Sequence, residues 1–235
     1  MILDLFEVIK KRRSIRIFQP LSVPEAVIEK AIDAALMAPN TSNIQPWEFY
    51  WVKSEEKKQQ LIRACLNQLA ARNAEELVVA VARIDFWKRN SKLIIQILES
   101  QSDISPTAVN YYKKLLPIVY TLGPFGILGF FKFVIKKITS FFGVAPDVIC
   151  SRSELFKIFV KSTALACENF ILAIVAQGYG CCSMEGFDSS KIKKILGLNR
   201  NSDIVMVIAI GTPDPKGTNG PQLRLKKELF YHVIR

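Results

Sequence analysis

The chain has 235 residues, 50% of them hydrophobic, enough to bury one substantial core, and a single compact domain is the simplest organisation. Lys and Arg number 32 against 21 Asp and Glu, a formal charge of +11, so the surface must meet phosphate, nucleic acid or acidic lipid, or else tolerate self-repulsion. A single histidine, His232, and five cysteines without a C-x-x-C pair leave zinc chemistry and a histidine-based triad without their parts, so the hard chemistry is expected from a bound cofactor.

In chain order, the first helix is expected to open on an Asp4-x-x-Glu7 capping box, with Leu5, Val8 and Ile9 as its apolar stripe and the basic run 10–13 at its end. The opening residues are amphipathic and not leader-like; with an odd number of cysteines this makes a reducing cytoplasm the expected compartment. A second helix is predicted from Ser22-x-x-Glu25 along Val27, Ile28, Ala31, Ile32, Ala35 and Leu36, stopping at Pro39 and Asn40. Residues 40–46 then form a loop and 48–52 (EFYWV) a buried strand. Ser54 starts a helix with acidic residues in its first turn, and 77–84 (LVVAVARI) is a second core strand.

From 85 to about 150 the pattern weakens into a hydrophobic insertion or lid. Its most apolar stretch is 115–144, whose uncharged run 115–131 is short for a span, holds two prolines and three glycines, and ends on Lys132. An interfacial helix or a lid is therefore expected there, and no transmembrane span. Ser151-x-x-Glu154 launches a helix to about Gln177 that is apolar on nearly every face from Ala164 to Ala176, and so must be central. A helix over 189–196, an apolar strand over 204–210 and an edge strand over 229–234 follow. Helices and strands alternate without repeat or linker, which predicts a sheet protein of the α/β or α+β class in one domain, 1–235.

Two polar clusters carry chemistry. Arg12-Arg13-Ser14-Ile15-Arg16, at the end of the first helix, can give an anion several charge-assisted bonds, or can serve as a solvated basic helix end. The loop Pro39-Asn40-Thr41-Ser42-Asn43-Ile44-Gln45-Pro46-Trp47 crowds side-chain amides and hydroxyls that suit a heteroaromatic ring edge or a ribityl chain, or else serve turn chemistry. Gly178-x-Gly180 begins a dinucleotide fingerprint but follows a helix and has Ser183 at the third glycine's place, so no Rossmann site is predicted. The vicinal Cys181 and Cys182 read as buried structural thiols in preference to a redox pair.

In this order and spacing, R-R-S-I-R, then A-P-x-x-x-N-x-Q-P-W, then the segment 178–188 and the basic tail around Arg224 together resemble the nitroreductase family. The resemblance implies an α+β fold, an α/β/α sandwich with a central, mostly antiparallel sheet, in an intertwined homodimer that holds FMN at its interface. Arg12, Arg13, Ser14 and Arg16 would hold the phosphate and ribityl chain, with Arg224 closing over the phosphate. Pro39, Asn40, Thr41 and Asn43 would come from the other subunit, with Gln45 as a further flavin or loop contact. Ser183, Met184, Glu185 and Gly186 would lie against the isoalloxazine, a backbone N–H near Glu185 bonding the flavin N5.

The implied reaction is ping-pong: NADH or NADPH reduces FMN, and an electron-poor acceptor such as a nitroaromatic or quinone reoxidises it on the same face. No side chain is assigned as catalytic, since the flavin N5 carries the hydride. Reductive dehalogenation, or another reaction of this flavin fold, is the alternative, and the insertion 85–150 would decide it. Tyr111, Tyr112, Tyr120, Phe125, Phe130 and Phe131 there either stack on a small aromatic acceptor or pack the core. A basic nucleic-acid-binding protein is disfavoured because Lys and Arg are spread along the chain without a recognised motif, and a membrane-surface protein using 115–144 is the remaining alternative.

Overall fold

Strand β3 (Glu76–Arg83) is buried at every residue from Leu77 to Ala82. Because side chains alternate across a strand, Leu77, Val79 and Val81 enter one hydrophobic core while Val78 and Ala80 enter another. An unbroken apolar run in a strand therefore means a sheet covered on both faces. The computed structural model describes residues 4–101, 105–144 and 148–235. Residues 1–3, ahead of the expected first helix, and 102–104 and 145–147, in the expected insertion, lie outside the described residues.

The sheet has five antiparallel strands. The long β5 (Ser202–Pro213) pairs with β3 and with β4 (Gly180–Met184), and its last residues pair with β1 (Phe18–Gln19). β2 (Trp47–Trp51) borders β3, and a bulge interrupts the β3–β5 ladder between Ala80 and Val81. Helices α3 (Glu55–Ala64), α4 (Leu69–Asn73) and α10 (Ser189–Leu196) contribute to the core on one face. Helices α2 (Glu25–Leu36) and α9 (Arg152–Ala176) fill the other, which makes the expected α/β/α sandwich.

Ser151 and Glu154 form the reciprocal capping box that the sequence predicts, and Glu154 Oε2 also accepts from Cys150 N at 2.6 Å. Among the described residues α9 is the one single helix long and apolar enough to cross a membrane. It lies instead against α2 and the sheet, with Ala166, Cys167, Phe170 and Ile174 fully buried.

Three local expectations are corrected. Helix α1 (Leu5–Lys11) begins after Asp4, but the Asp4 side chain makes no capping bond, and Glu7 pairs with Lys10 at 3.2 Å. The second helix starts at Glu25 with Pro24 at its cap: a residue before proline is pushed out of helical geometry, so Val23 cannot extend a helix back to Ser22. The tail 229–234 forms no strand, because no strand of the sheet pairs with it; a short 3₁₀ turn, Lys227–Leu229, precedes exposed Phe230, Tyr231, Val233 and Ile234.

The described part of 85–150 is mainly helical. It comprises α5 (Phe86–Glu99), α6 (Pro106–Asn110), a π-helical turn over Tyr111–Leu115, α7 (Leu116–Tyr120) and α8 (Ile127–Phe142). The chain bends by 66° between the α6–α7 rod and the helical segment ending in α8.

Candidate functional site

The arginine cluster is placed by a short extended segment that follows α1. Ile15 N donates to Cys181 O at 3.0 Å, and Arg16 N donates to Gly217 O at 2.8 Å, so the segment is laced to β4 on one side and to the tail on the other. Two glycines allow that approach. A Cβ on Gly180 would stand 2.8 Å from Ile15 Cγ1, and one on Gly217 would stand 2.5 Å from Ile17 O. Ile15 is buried, so alternation turns Ser14 and Arg16 the other way.

Both line a cleft of about 240 Å³ with Arg12, Arg13 and, from the tail, Asn219, Gln222 and Arg224. Arg13 Nη2 donates to Gly220 O at 2.6 Å and ties the tail to the cluster. Four guanidiniums and a hydroxyl converge here with no carboxylate in the lining, a donor set that repels itself until an anion enters. The residues present therefore fit the phosphate end of FMN.

The segment after α9 meets this cluster edge-on. Burial pushes the Cys181 thiol up to about 12 and raises that of Cys182, while Arg12 and Arg16 pull them back respectively. None of the five cysteines forms a disulfide, and Cys181 and Cys182 are buried in β4. A protonated buried thiol is a poor nucleophile, which agrees with a structural role for the pair. The β4–β5 ladder ends at Met184–Val207, and Ser183, Glu185 and Gly186 are exposed at that edge. Met184 itself is buried, so its side chain belongs to the core and is closed to a bound ring.

The loop 39–45 does not line the arginine cleft. Its backbone is strained, with Ser42, Asn43 and Gln45 at φ of 53°, 50° and 50°. Side chains hold that shape. Asn40 Oδ1 accepts from Gln45 N at 2.7 Å, Thr41 N donates to Ser162 Oγ at 3.3 Å, and Thr41 Oγ1 lies 3.1 Å from the Tyr120 hydroxyl. Ser42 Oγ bonds the hydroxyls of Tyr111 at 2.5 Å and Tyr120 at 3.0 Å, Tyr112 donates to Ser42 O at 3.0 Å, and Asn90 Nδ2 donates to Ile44 O and Gln45 O. Asn43 is left exposed and Gln45 half-buried, while Asn40 is consumed in bracing.

These contacts revise the aromatic assignments. Tyr120 is buried against Phe159 and Trp87, so it braces the loop from within the core and is closed to an acceptor. Tyr111 and Tyr112 stand half-buried beside the loop, whereas Phe125, Phe130 and Phe131 are exposed. Sequence reasoning left out Ser42 and Asn90 as braces, because nothing local marks which amide or hydroxyl a distant helix will meet. It also left out Gln68, whose Nε2 donates to Gly186 O at 2.6 Å from a turn where Leu66 and Asn67 have φ of 57° and 54°. Paired positive φ values at non-glycine residues are a signal visible only in the backbone.

The sequence model of the Nitroreductase family matches residues 9–212. "Protein DrgA" of Synechocystis is 24% identical over 225 residues, covering 93% of this chain and 91% of that protein. An NADH dehydrogenase of Thermus thermophilus is 23% identical, covering 98% of this chain and 97% of its own. The fold matches that of a nitroreductase-fold protein from Exiguobacterium sibiricum in complex with FMN, with a TM-score of 0.73 at 20% identity over 99% of this chain and 98% of the other.

Proposed function

The chain belongs to the nitroreductase family, and on that premise we propose that it is an FMN-dependent oxidoreductase that draws electrons from NAD(P)H and delivers them to an electron-poor aromatic or quinone acceptor. The observation that carries this reading is the convergence of four arginines, with no opposing carboxylate, on a segment laced to the start of β4. FMN held there would supply the hydride chemistry between the nicotinamide and the acceptor.

The chain's own residues bind and orient. Arg12, Arg13, Arg16 and Arg224 would neutralise the FMN phosphate by charge-assisted bonds, and the Ser14 hydroxyl would add a donor at the same end. The exposed edge of Ser183, Glu185 and Gly186 offers backbone to the ring, and Gln68 holds Gly186 in place through its carbonyl. No side-chain acid is assigned, since an open cleft lets water protonate the product.

The second half of the site is assigned to a partner chain. Pro39, Asn40, Thr41, Asn43 and Gln45 would serve the FMN held by the other subunit's arginines. Their absence from the cleft lining supports this, as do the exposed Leu5, Phe6 and Ile9 of α1 and Leu165 of α9, an apolar surface that a second copy would cover. Five cysteines without a disulfide support the reducing cytoplasm as its compartment.

The test has two arms. Purified protein should be yellow, release FMN on denaturation and be bleached anaerobically by NADH or NADPH; a colourless protein that refuses added FMN sinks the reading. For the shared site, Arg13→Ala and Asn43→Ala should each weaken FMN binding. Mixing the two variants after dissociation should restore one intact site per heterodimer, and no gain over the parents would mean that both clusters act within one chain.

A further inference from the structure

We propose that α8 seats the protein on an anionic phospholipid surface, an inference that stands independently of the flavin site. Its starting point is the way α8 is turned. At 100° per residue, Ile127, Phe131, Ile135, Ile138 and Phe142, with Phe130 at their flank, fall within one arc of roughly 140°. An amphipathic helix of a water-soluble domain buries such an arc. Here it faces out, and all six are exposed, Phe142 to 81%.

The face turned toward the rest of the protein is the polar one. Gly129 is buried so closely that an added Cβ would stand 2.1 Å from Cys150 O. Lys132 Nζ, one turn on, donates to Val119 O at 2.9 Å and Thr121 O at 2.8 Å, capping the end of α7. Lys136, a further turn along the same side, is half-buried. Glycine and lysine thus fix the orientation, and the aromatic arc is left projecting beside a groove of about 450 Å³ between α7 and α8 lined by Pro117, Ile118 and Leu128.

Charge selects the occupant. Residues 105–144 contain Lys113, Lys114, Lys132, Lys136 and Lys137 and no Asp, Glu or Arg. Lys113 pairs with Glu99 and Lys132 is held by carbonyls, so exposed Lys114 and Lys137 carry the outward charge: a second copy docking through this face would set like charges together on a chain already at +11, whereas acidic headgroups neutralise them. Sixteen residues make a helix of roughly 24 Å, short of the hydrocarbon thickness and interrupted by lysines, so it lies in the interface plane instead of crossing it.

The experiment is flotation of the full-length holoprotein with vesicles of phosphatidylcholine alone or mixed with phosphatidylserine. Wild type should float with the phosphatidylserine vesicles, and less so as salt is raised. The doubly substituted Phe131→Asp/Phe142→Asp protein should lose about tenfold in partitioning while keeping its circular dichroism and bound flavin. A Phe142→Trp variant should show a blue-shifted emission on binding. Wild type that stays with the soluble fraction, or binding that survives the double substitution, overturns the proposal. So does a double variant that changes sedimentation from dimer to monomer without any lipid binding by wild type, which would give the face to a second copy.

Discussion

Replacing Gly180 by alanine tests what places the arginine cluster. The new methyl would stand 2.8 Å from Ile15 Cγ1 and 3.2 Å from Pro213 Cβ, against an ordinary carbon contact of about 3.5–4.0 Å. Neither neighbour can retreat cheaply. Ile15 is buried in the core and its N–H is bonded to Cys181 O, while Pro213 lies in the β1–β5 pairing. Overpacking of this kind costs about 1–3 kcal/mol, and relief requires the 14–16 segment to shift away from β4. That shift carries Ser14 and Arg16 with it, so FMN affinity should fall about tenfold, equivalent to about 1.4 kcal/mol. Urea unfolding of the apoprotein and fluorescence titration with FMN measure the two effects separately. Ile15→Ala alone removes buried atoms at a cost of about 2–5 kcal/mol, yet combined with Gly180→Ala it should cost about 1–2 kcal/mol less than the sum. Additive stabilities, or unchanged FMN affinity in the destabilised Gly180→Ala protein, would refute the idea that β4 positions the arginines.

Other expectations follow from the same geometry. Ser42→Ala removes the hydroxyl shared by Tyr111 and Tyr120 and should lower stability by about 1–2 kcal/mol, with earlier release of flavin on heating; release unchanged relative to wild type would separate the loop from the cofactor. Arg83 forks onto Asp85 at 2.9 and 3.1 Å and bonds Glu48 at 2.5 Å, with only 12% of its side chain exposed. Arg83→Met should therefore cost about 2–3 kcal/mol, read as a shifted urea midpoint at constant slope. Burial raises Cys65 to about 11 and Cys167 and Cys181 to about 12, so these thiols stay protonated in the folded chain where the unfolded chain begins to ionise. Folded-state values above the unfolded ones mean that this stability is complete below about pH 8.5 and is lost as pH rises toward 12. Alkaline titration of the unfolding midpoint should show the fall, and native protein near neutral pH should alkylate Cys150 well ahead of the four buried cysteines.

Much of the frame was legible in local pattern. The β3 run and the apolar span of β5 read as strands covered on both faces, and α9 was recognisable from its Ser151–Glu154 box and its lack of a polar side. Where pattern failed, a competing local rule or a missing partner was responsible. Pro24 overrode the Ser22 box, and the alternating tail found no strand to pair with. In the site, the arginines and the 183–186 segment were identifiable as residue types in order. The braces at Ser42, Gln68 and Asn90 were not, since each depends on a partner 45 to 118 positions away.

By itself the sequence determined the family, the charge that demands an anion, and which helices and strands carry apolar faces, because those properties reside in residue identity and short-range period. Only the tertiary structure decided that Ile15 lies on Gly180, bringing residues 12–16 and 219–224 around one cleft beside the start of β4 while the 39–45 loop stays apart. It also decided that α8 turns Lys132 inward and its aromatics outward. Helical periodicity shows that a helix has two faces; which face meets the protein is set by contacts with chain far away in sequence, here the carbonyls of Val119, Thr121 and Cys150.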